Sequence, residues 1–324
     1  MHQSLPEMAL IEIDLATNIT GRRLGAPVII NAMTGGAPGV ESINRDLAAV
    51  AAELGLAMAV GSQTAGIREP EVVRTYQVVR EANPKGIVIG NVSAAATVDD
   101  ARRAVEMIGA DLLQVHLNAP QELVMPEGDR DFRGQLERIA EIVRAVPVPV
   151  IVKECGFGLS RETARRLYEA GVRIIDLSGR GGTNFVVIEA ERAGTADLDP
   201  GLFTWGISTA CATAEVAALG LPELTIIASG GIRHGSEAAK ALALGACAVG
   251  VAGAVLQAWK EDGARGAHRY LAALLTDLKR CMLLVGARTP AALRRVPVVL
   301  TGATAQWCAL RGVDLAELAG RTGV

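Results

Sequence analysis

Short apolar runs, each bounded by Gly, Asn or Ser, recur along the chain. Eight read as strands: residues 27–34, 57–62, 86–92, 112–118, 148–154, 173–179, 225–231 and 246–253. Each is rich in β-branched residues or nearly continuously apolar over part of its length, the pattern of a strand covered on both faces. Helical patterns lie between them. The clearest is 97–109: Thr97 is a good N-cap and Asp100, three residues on, completes a capping-box-like pair. Ala101, Ala104, Val105 and Ile108 follow at helical spacing, and Gly109 ends the run. Segments 160–171 and 236–245 repeat the plan. Strands alternating with helices predict a parallel sheet, and eight is the number that closes a barrel. The expected fold is therefore α/β, a (β/α)8 TIM barrel in a single domain over residues 1–324. An open doubly wound sheet would carry G-x-G-x-x-G after its first strand, where this chain has Met33-Thr34-Gly35-Gly36.

Two connections exceed a simple turn, 119–130 after the fourth strand and 180–205 after the sixth. Both follow C-terminal strand ends, where barrel enzymes build their sites. The segment from 263 onward reads as a final helix plus a covering tail. Residues 241–259 lack any charge and are long enough to cross a bilayer. Gly245, Gly250 and Gly253 interrupt them, however, and they read better as a helix end, a turn and a buried strand.

Composition narrows the function. Half the residues are apolar, enough for a sizeable core, and the net charge of −3 is spread without a basic block, so a nucleic-acid partner is not expected. The five cysteines are widely spaced with no C-x-x-C, which predicts reduced thiols in the cytoplasm rather than a metal site. The N-terminus MHQSLPEM has neither a basic nor an apolar signal region.

The fourth strand carries the first chemical signal. In LLQVHLN, Gln114, His116 and Asn118 alternate with Leu113, Val115 and Leu117, so the polar three share one face, directed into the barrel. They would either satisfy one another or meet a ligand. Glu122, just beyond, is the carboxylate nearest the strand end and is the candidate for Mg2+, which needs few protein oxygens. Glu127, Asp129 and Asp131 read as a solvated loop. Lys153 ends the fifth strand, either as a cation for an anionic ligand or as half of an internal ion pair. Glycine groups at 179–183, 230–231 and 250–253 follow strands six to eight. There the backbone can approach a phosphate, and loops seven and eight are the usual phosphate site of this fold.

At these residues the chain resembles type 2 isopentenyl diphosphate isomerases. The matching stretches, in order over nearly the whole chain, are INAMTGG (30–36), VGSQ (60–63), QVHLNAPQELVMPEGDRDF (114–132), PVIVKECGFG (149–158), GGTNF (181–185), WGIST (205–209) and ASGGIR (228–233). The His-x-Asn-x-x-Gln-Glu segment with MPEGDR is highly specific, whereas ASGGIR is shared with other FMN barrels. The resemblance implies isomerisation of isopentenyl diphosphate to dimethylallyl diphosphate, with reduced FMN as principal acid–base, Mg2+ on the diphosphate and NAD(P)H as reductant. It implies a homo-oligomer, tetramer or octamer. Ala32, Met33 and Thr34 would line the flavin ring. Ser62 and Asn91 would bond the flavin or its ribityl chain, and Lys153 would sit at the ring's N1/C2 oxygen edge. Ser178 and Thr183 would hold ribityl or phosphate groups, with Gly230, Gly231, Arg233, Ala252 and Gly253 completing the cradle. Glu189 would approach the ring. His116, Asn118 and Gln121 would line the substrate site, and Gln121, His116 and Lys153 would carry the chemistry.

One departure is expected to matter. Family members begin earlier, with a basic Arg-Lys segment and a nearby His gripping the diphosphate, and some have Arg where Thr64 stands. Either the start is misassigned, the chain is truncated, or Arg68 and other bases substitute; flavin binding is expected to be retained, with substrate affinity and turnover in question. Two other readings remain. A 2-hydroxy-acid oxidase would need a His base and an Arg clamp in the loop before strand seven, and 205–224 contains neither. A catalytically silent FMN-binding protein is the second.

Overall fold

The computed structural model describes residues 1–194 and 198–323, so residues 195–197 of the second long connection and residue 324 lie outside it. A hairpin comes first, β1 (Thr17–Ile19) paired antiparallel with β2 (Arg22–Leu24). The eight expected strands follow: β3 (Val28–Ile30), β4 (Ala57–Ala59), β5 (Val88–Ser93), β6 (Leu112–Leu117), β7 (Val150–Glu154), β8 (Ile174–Asp176), β9 (Thr225–Ser229) and β10 (Ala248–Val251). They pair in parallel and in sequence order, and β10 closes onto β3. Several strands are shorter than their apolar runs because the ends of those runs, such as 31–34, leave the ladder to build the barrel mouth.

The strand alternation seen in β6 runs round the barrel. Ile29, Ala57, Ile89, Leu112, Ile151, Ile174, Ile227 and Ala248 point inward and form one buried cluster. Their outward neighbours, among them Val28, Met58, Leu113, Val152 and Ile175, join the cluster beneath the helices. Two residues further along six of the strands the inward position becomes polar and stays buried: Asn31, Asn91, Gln114, Lys153, Asp176 and Ser229. On β10 the equivalent position is Gly250, where an added Cβ would meet Asn31 Nδ2 at 2.2 Å. The small residue makes room for the amide.

The helices form where local signals asked for them. Thr97 Oγ1 accepts from Asp100 N at 3.1 Å, and Asp100 Oδ2 accepts from Thr97 N at 3.0 Å, over the helix Val98–Ile108. Ser160 Oγ accepts from Thr163 N at 3.2 Å and caps Arg161–Glu169, and Gly235–Ala243 stands at the third expected position. The helix Gly253–Leu284 is kinked at Asp262 and Gly263, after which three short helices cover the outside. The hairpin was not expected from its sequence. Its Ile19 and Leu24 pack on the inward residues at the N-terminal strand ends, and Thr17 Oγ1 donates to the Cys247 carbonyl just before β10. It therefore plugs the bottom of the barrel. No helix of the described residues is long and apolar enough to cross a membrane, and the 241–259 segment is the helix end, turn and strand that its glycines indicate.

Candidate active site

Six strands place polar groups in one layer, and buried polar groups are tolerated only when paired. Asp176 sits at the centre. Its carboxylate accepts from Asn31 Nδ2 at 2.9 Å, from Ser229 Oγ at 2.5 Å and from the Ser178 N–H at 3.3 Å. Lys153 Nζ lies 3.5 Å from it and donates to the Glu154 carbonyl at 2.8 Å. From Asn31 the bonding runs through Gln114, at 3.1 Å, and Asn91, at 3.0 Å, to the His116 ring, whose Nδ1 is 2.8 Å from Asn91 Oδ1. The layer is thus satisfied internally. Among the described residues the unpartnered buried side-chain atoms belong to Asn83, Arg138 and Arg294, none of them here.

Above this layer opens a cavity of about 540 Å3. Its floor is Asn31, Asn91, His116, Lys153 and Ser229, so both readings of Lys153 apply: it is half of an ion pair and also a cation facing the cavity. Burial first, then the neighbouring Lys153 charge, lower His116 to about 4, and the ring is neutral near pH 7. Next to Lys153, burial pushes the Glu154 carboxyl up to about 8, although it accepts the Phe157 and Gly158 N–H groups at 2.6 and 3.1 Å. Those two bonds tie down the turn that carries Cys155 and Gly156 into the cavity wall. Burial raises the Cys155 thiol to about 12, which makes it a poor nucleophile at neutral pH.

Three loops make the opposite wall. Gly230 and Gly231 have φ of 97° and 82°, and a Cβ on them would meet Gly179 O at 1.9 Å and Gly181 O at 2.4 Å. A Cβ on Gly182 would meet Gly231 N at 2.6 Å. These backbones touch because no side chain intervenes. Arg233 crosses them, donating to Gly231 O and Gly181 O at 2.9 Å each. Gly253 begins a long helix, whose first N–H groups have no intrahelical partner, and a Cβ there would find only Thr183 Oγ1, at 3.9 Å. With Ser178, Thr183 and Ala252 beside it, this wall is a backbone cradle of the kind that binds phosphate. Ala32, Met33 and Ser62 line the remaining side, next to the floor.

At the rim, Gln121 of the helix Ala119–Val124 lines the cavity and donates from Nε2 to Glu189 Oε1 at 2.9 Å. Arg192 Nε holds the other Glu189 oxygen at 2.7 Å. Asn118 donates to Glu122 Oε1 at 2.7 Å, and the Asp129 N–H to Glu122 Oε2 at 2.9 Å. Glu189 thus borders the cavity through Gln121, and neither it nor the Asn118–Glu122 pair is among the lining residues. Thr34 also lies outside the lining, because its hydroxyl turns to Asn44 Oδ1 at 2.7 Å on the helix Val40–Leu54. Arg68 is exposed at the end of the helix Thr64–Arg68 and is not among the cavity-lining residues. Among the described residues no three His, Cys, Asp or Glu side chains group as metal ligands.

Asn31, Asp176 and Ser229 are site residues that do not stand out in the sequence. Their signal is the one read on the fourth strand, a polar residue two places beyond an inward Ile, at Ile29, Ile174 and Ile227.

The chain is similar to known proteins along its whole length. The family model described as FMN-dependent dehydrogenase matches residues 66–299. An isopentenyl-diphosphate delta-isomerase of Symbiobacterium thermophilum is 67% identical over 99% of this chain and 89% of that protein. Proteins of the same name from Moorella thermoacetica and Nocardia farcinica are 51% and 49% identical, over 95% and 99% of this chain and 88% of each relative. Among solved structures, a mandelate oxidase mutant bearing an FMN monooxide adduct superposes with a TM-score of 0.68 at 20% identity, over 93% of this chain and 87% of that one. A putative lactate oxidase of Pediococcus acidilactici superposes with a TM-score of 0.69 at 19% identity, over 91% and 81%. At those identities the two structures establish the shared fold.

Proposed function

Because the chain belongs to the isopentenyl-diphosphate delta-isomerases, within the FMN-dependent dehydrogenase family, we propose that its cavity converts isopentenyl diphosphate to dimethylallyl diphosphate with FMN seated on the glycine cradle. One arrangement carries the reading: a phosphate-sized backbone cradle and a wall of His116, Lys153 and Gln121 share one cavity. The fit to FMN rests on those glycines, which leave N–H groups where side chains would collide.

Shifting the double bond adds a proton at one carbon and removes one at another, so charge must be held in fixed places away from water. Reduced FMN, when bound, supplies an electron-rich surface with its own acid–base capacity, after reduction by NAD(P)H. Lys153, anchored by Asp176, fixes a positive charge on the floor and favours an anionic ligand there. His116, neutral and hydrogen-bonded, contacts the ligand without adding a second cation. Gln121, whose Nε2 donates to Glu189 Oε1, is held with its amide at the substrate and orients it there. Glu122 is a single rim carboxylate whose oxygens each accept one hydrogen bond and keep a further lone pair. That suits Mg2+ completing its shell with water and diphosphate oxygens. Five free cysteines support a reducing cytoplasmic setting, and exposed Leu123, Ile188, Leu202 and Trp205 beside the mouth support a homo-oligomer.

The test is anaerobic. With FMN, NAD(P)H and Mg2+, the protein should form dimethylallyl diphosphate and exchange solvent deuterium into isopentenyl diphosphate. A yellow protein that oxidises 2-hydroxy acids and leaves isopentenyl diphosphate unlabelled overturns the proposal.

A further inference from the structure

The polar layer has a direction. Asp176 stands beside the Lys153 ammonium, and a carboxylate there can only accept. Asn31 must therefore turn its NH2 to Asp176, which turns its carbonyl to Gln114. Gln114 then presents its own NH2 to Asn31 and its carbonyl to Asn91. Asn91 in turn presents its carbonyl to the imidazole Nδ1. An amide has one donor end and one acceptor end, so the polarity set at Asp176 passes unchanged through three side chains. Asn91 is also held by its backbone, whose N–H donates to Gln63 Oε1 at 2.9 Å while Gln63 Nε2 donates to the Ala104 carbonyl at 2.9 Å. A reversed chain would press two buried acceptors together at Asp176, which disfavours it roughly ten- to a hundred-fold.

We propose that Asp176, Asn31, Gln114 and Asn91 are positioning residues that hold His116 in one tautomer. The hydrogen is on Nδ1, and Nε2 is an acceptor for a hydrogen-bond donor, a hydroxyl or N–H, on the cavity's ligand. The residue that chooses the tautomer is thus three amides away from the ring along the hydrogen bonds, although only β7 separates their strands. The isomerase reading enters only in what Nε2 meets, because the tautomer is a property of the polypeptide itself.

The experiment is 15N spectroscopy at neutral pH of full-length protein labelled at its four histidines, without and with FMN, the His116 signals being those lost in His116→Gln. The expected result is a protonated, pyrrole-type Nδ1 and an unprotonated, pyridine-type Nε2. Gln114→Met, which has no amide to hold Asn91, should move both signals towards the average of exchanging tautomers. Gln114→Glu, kept protonated by its burial, still donates to Asn31 and accepts from Asn91 and should keep them apart. A protonated Nε2 in the unmodified protein overturns the proposal whatever the variants do, and so does an unchanged tautomer in a folded Gln114→Met. Neither result depends on turnover, so absence of isomerisation with the predicted tautomer intact would count against the functional reading alone.

Discussion

The His116 imidazole is neutral in the fold at pH values where a free imidazole is charged, because burial and Lys153 hold it at about 4. An unfolded histidine takes up its proton near 6.5. The unfolded state therefore binds more protons between those two values, and stability is full above pH 6.5 and falls as pH drops towards 4. The gap is worth up to about 3 kcal/mol. Denaturant titrations from pH 7 to pH 4 should show this loss, and His116→Gln should flatten it. An identical acid slope in the variant would place the acid-sensitive group elsewhere. Lys153 and Asp176 belong to the same balance: each is buried, and removing either partner strands the other's charge, which costs about 3–5 kcal/mol at such sites.

At the scale of elements, the glycine loops are shaped by what they exclude. A methyl group on Gly231 would meet a carbonyl oxygen at 2.4 Å from a backbone with φ of 82°. Strain of about 1–3 kcal/mol should fall on the cradle itself, so Gly231→Ala is expected to weaken FMN binding about ten- to a hundred-fold. Gly320→Ala, into open space, should leave binding unchanged, and flavin fluorescence titration separates the two. Elements whose cause is local were legible in the sequence: the Thr97 cap, its closing Gly109 and the inward alternation of β6 all depend on neighbours a few residues away. The hairpin of β1 and β2 was not legible. Its six residues are held by Ile19 and Leu24 against strand ends from all round the barrel, and no short window contains that information. Asn31 and Asp176 each carry a local sign, a polar residue two places beyond an inward Ile, but their partnership does not: they are 145 residues apart, and only barrel closure joins them. The Thr34 hydroxyl is engaged by Asn44 of a helix 10 residues on, a pairing that the strand pattern does not announce.

Across the whole molecule, the C-terminal helices are locked onto the barrel by a buried charge. Glu215, with a fully buried side chain, accepts from the Trp307 indole at 2.5 Å and from Arg311 Nε at 3.0 Å, and Arg311 continues to Glu162. Arg311→Ala leaves Glu215 without its counter-charge and should cost about 3 kcal/mol. Protease nicking between Val298 and Leu310 should then rise well ahead of any loss of bound FMN, since none of these residues lines the cavity. Flavin release in step with nicking would show that the covering helices also shape the mouth. The filled interior beneath the polar layer has a kinetic counterpart. A cavity closed at its base is a cul-de-sac: whatever enters must back out through the same doorway. Newcomer and leaver queue for one passage, and an excess of the finished molecule should slow the line by standing in it.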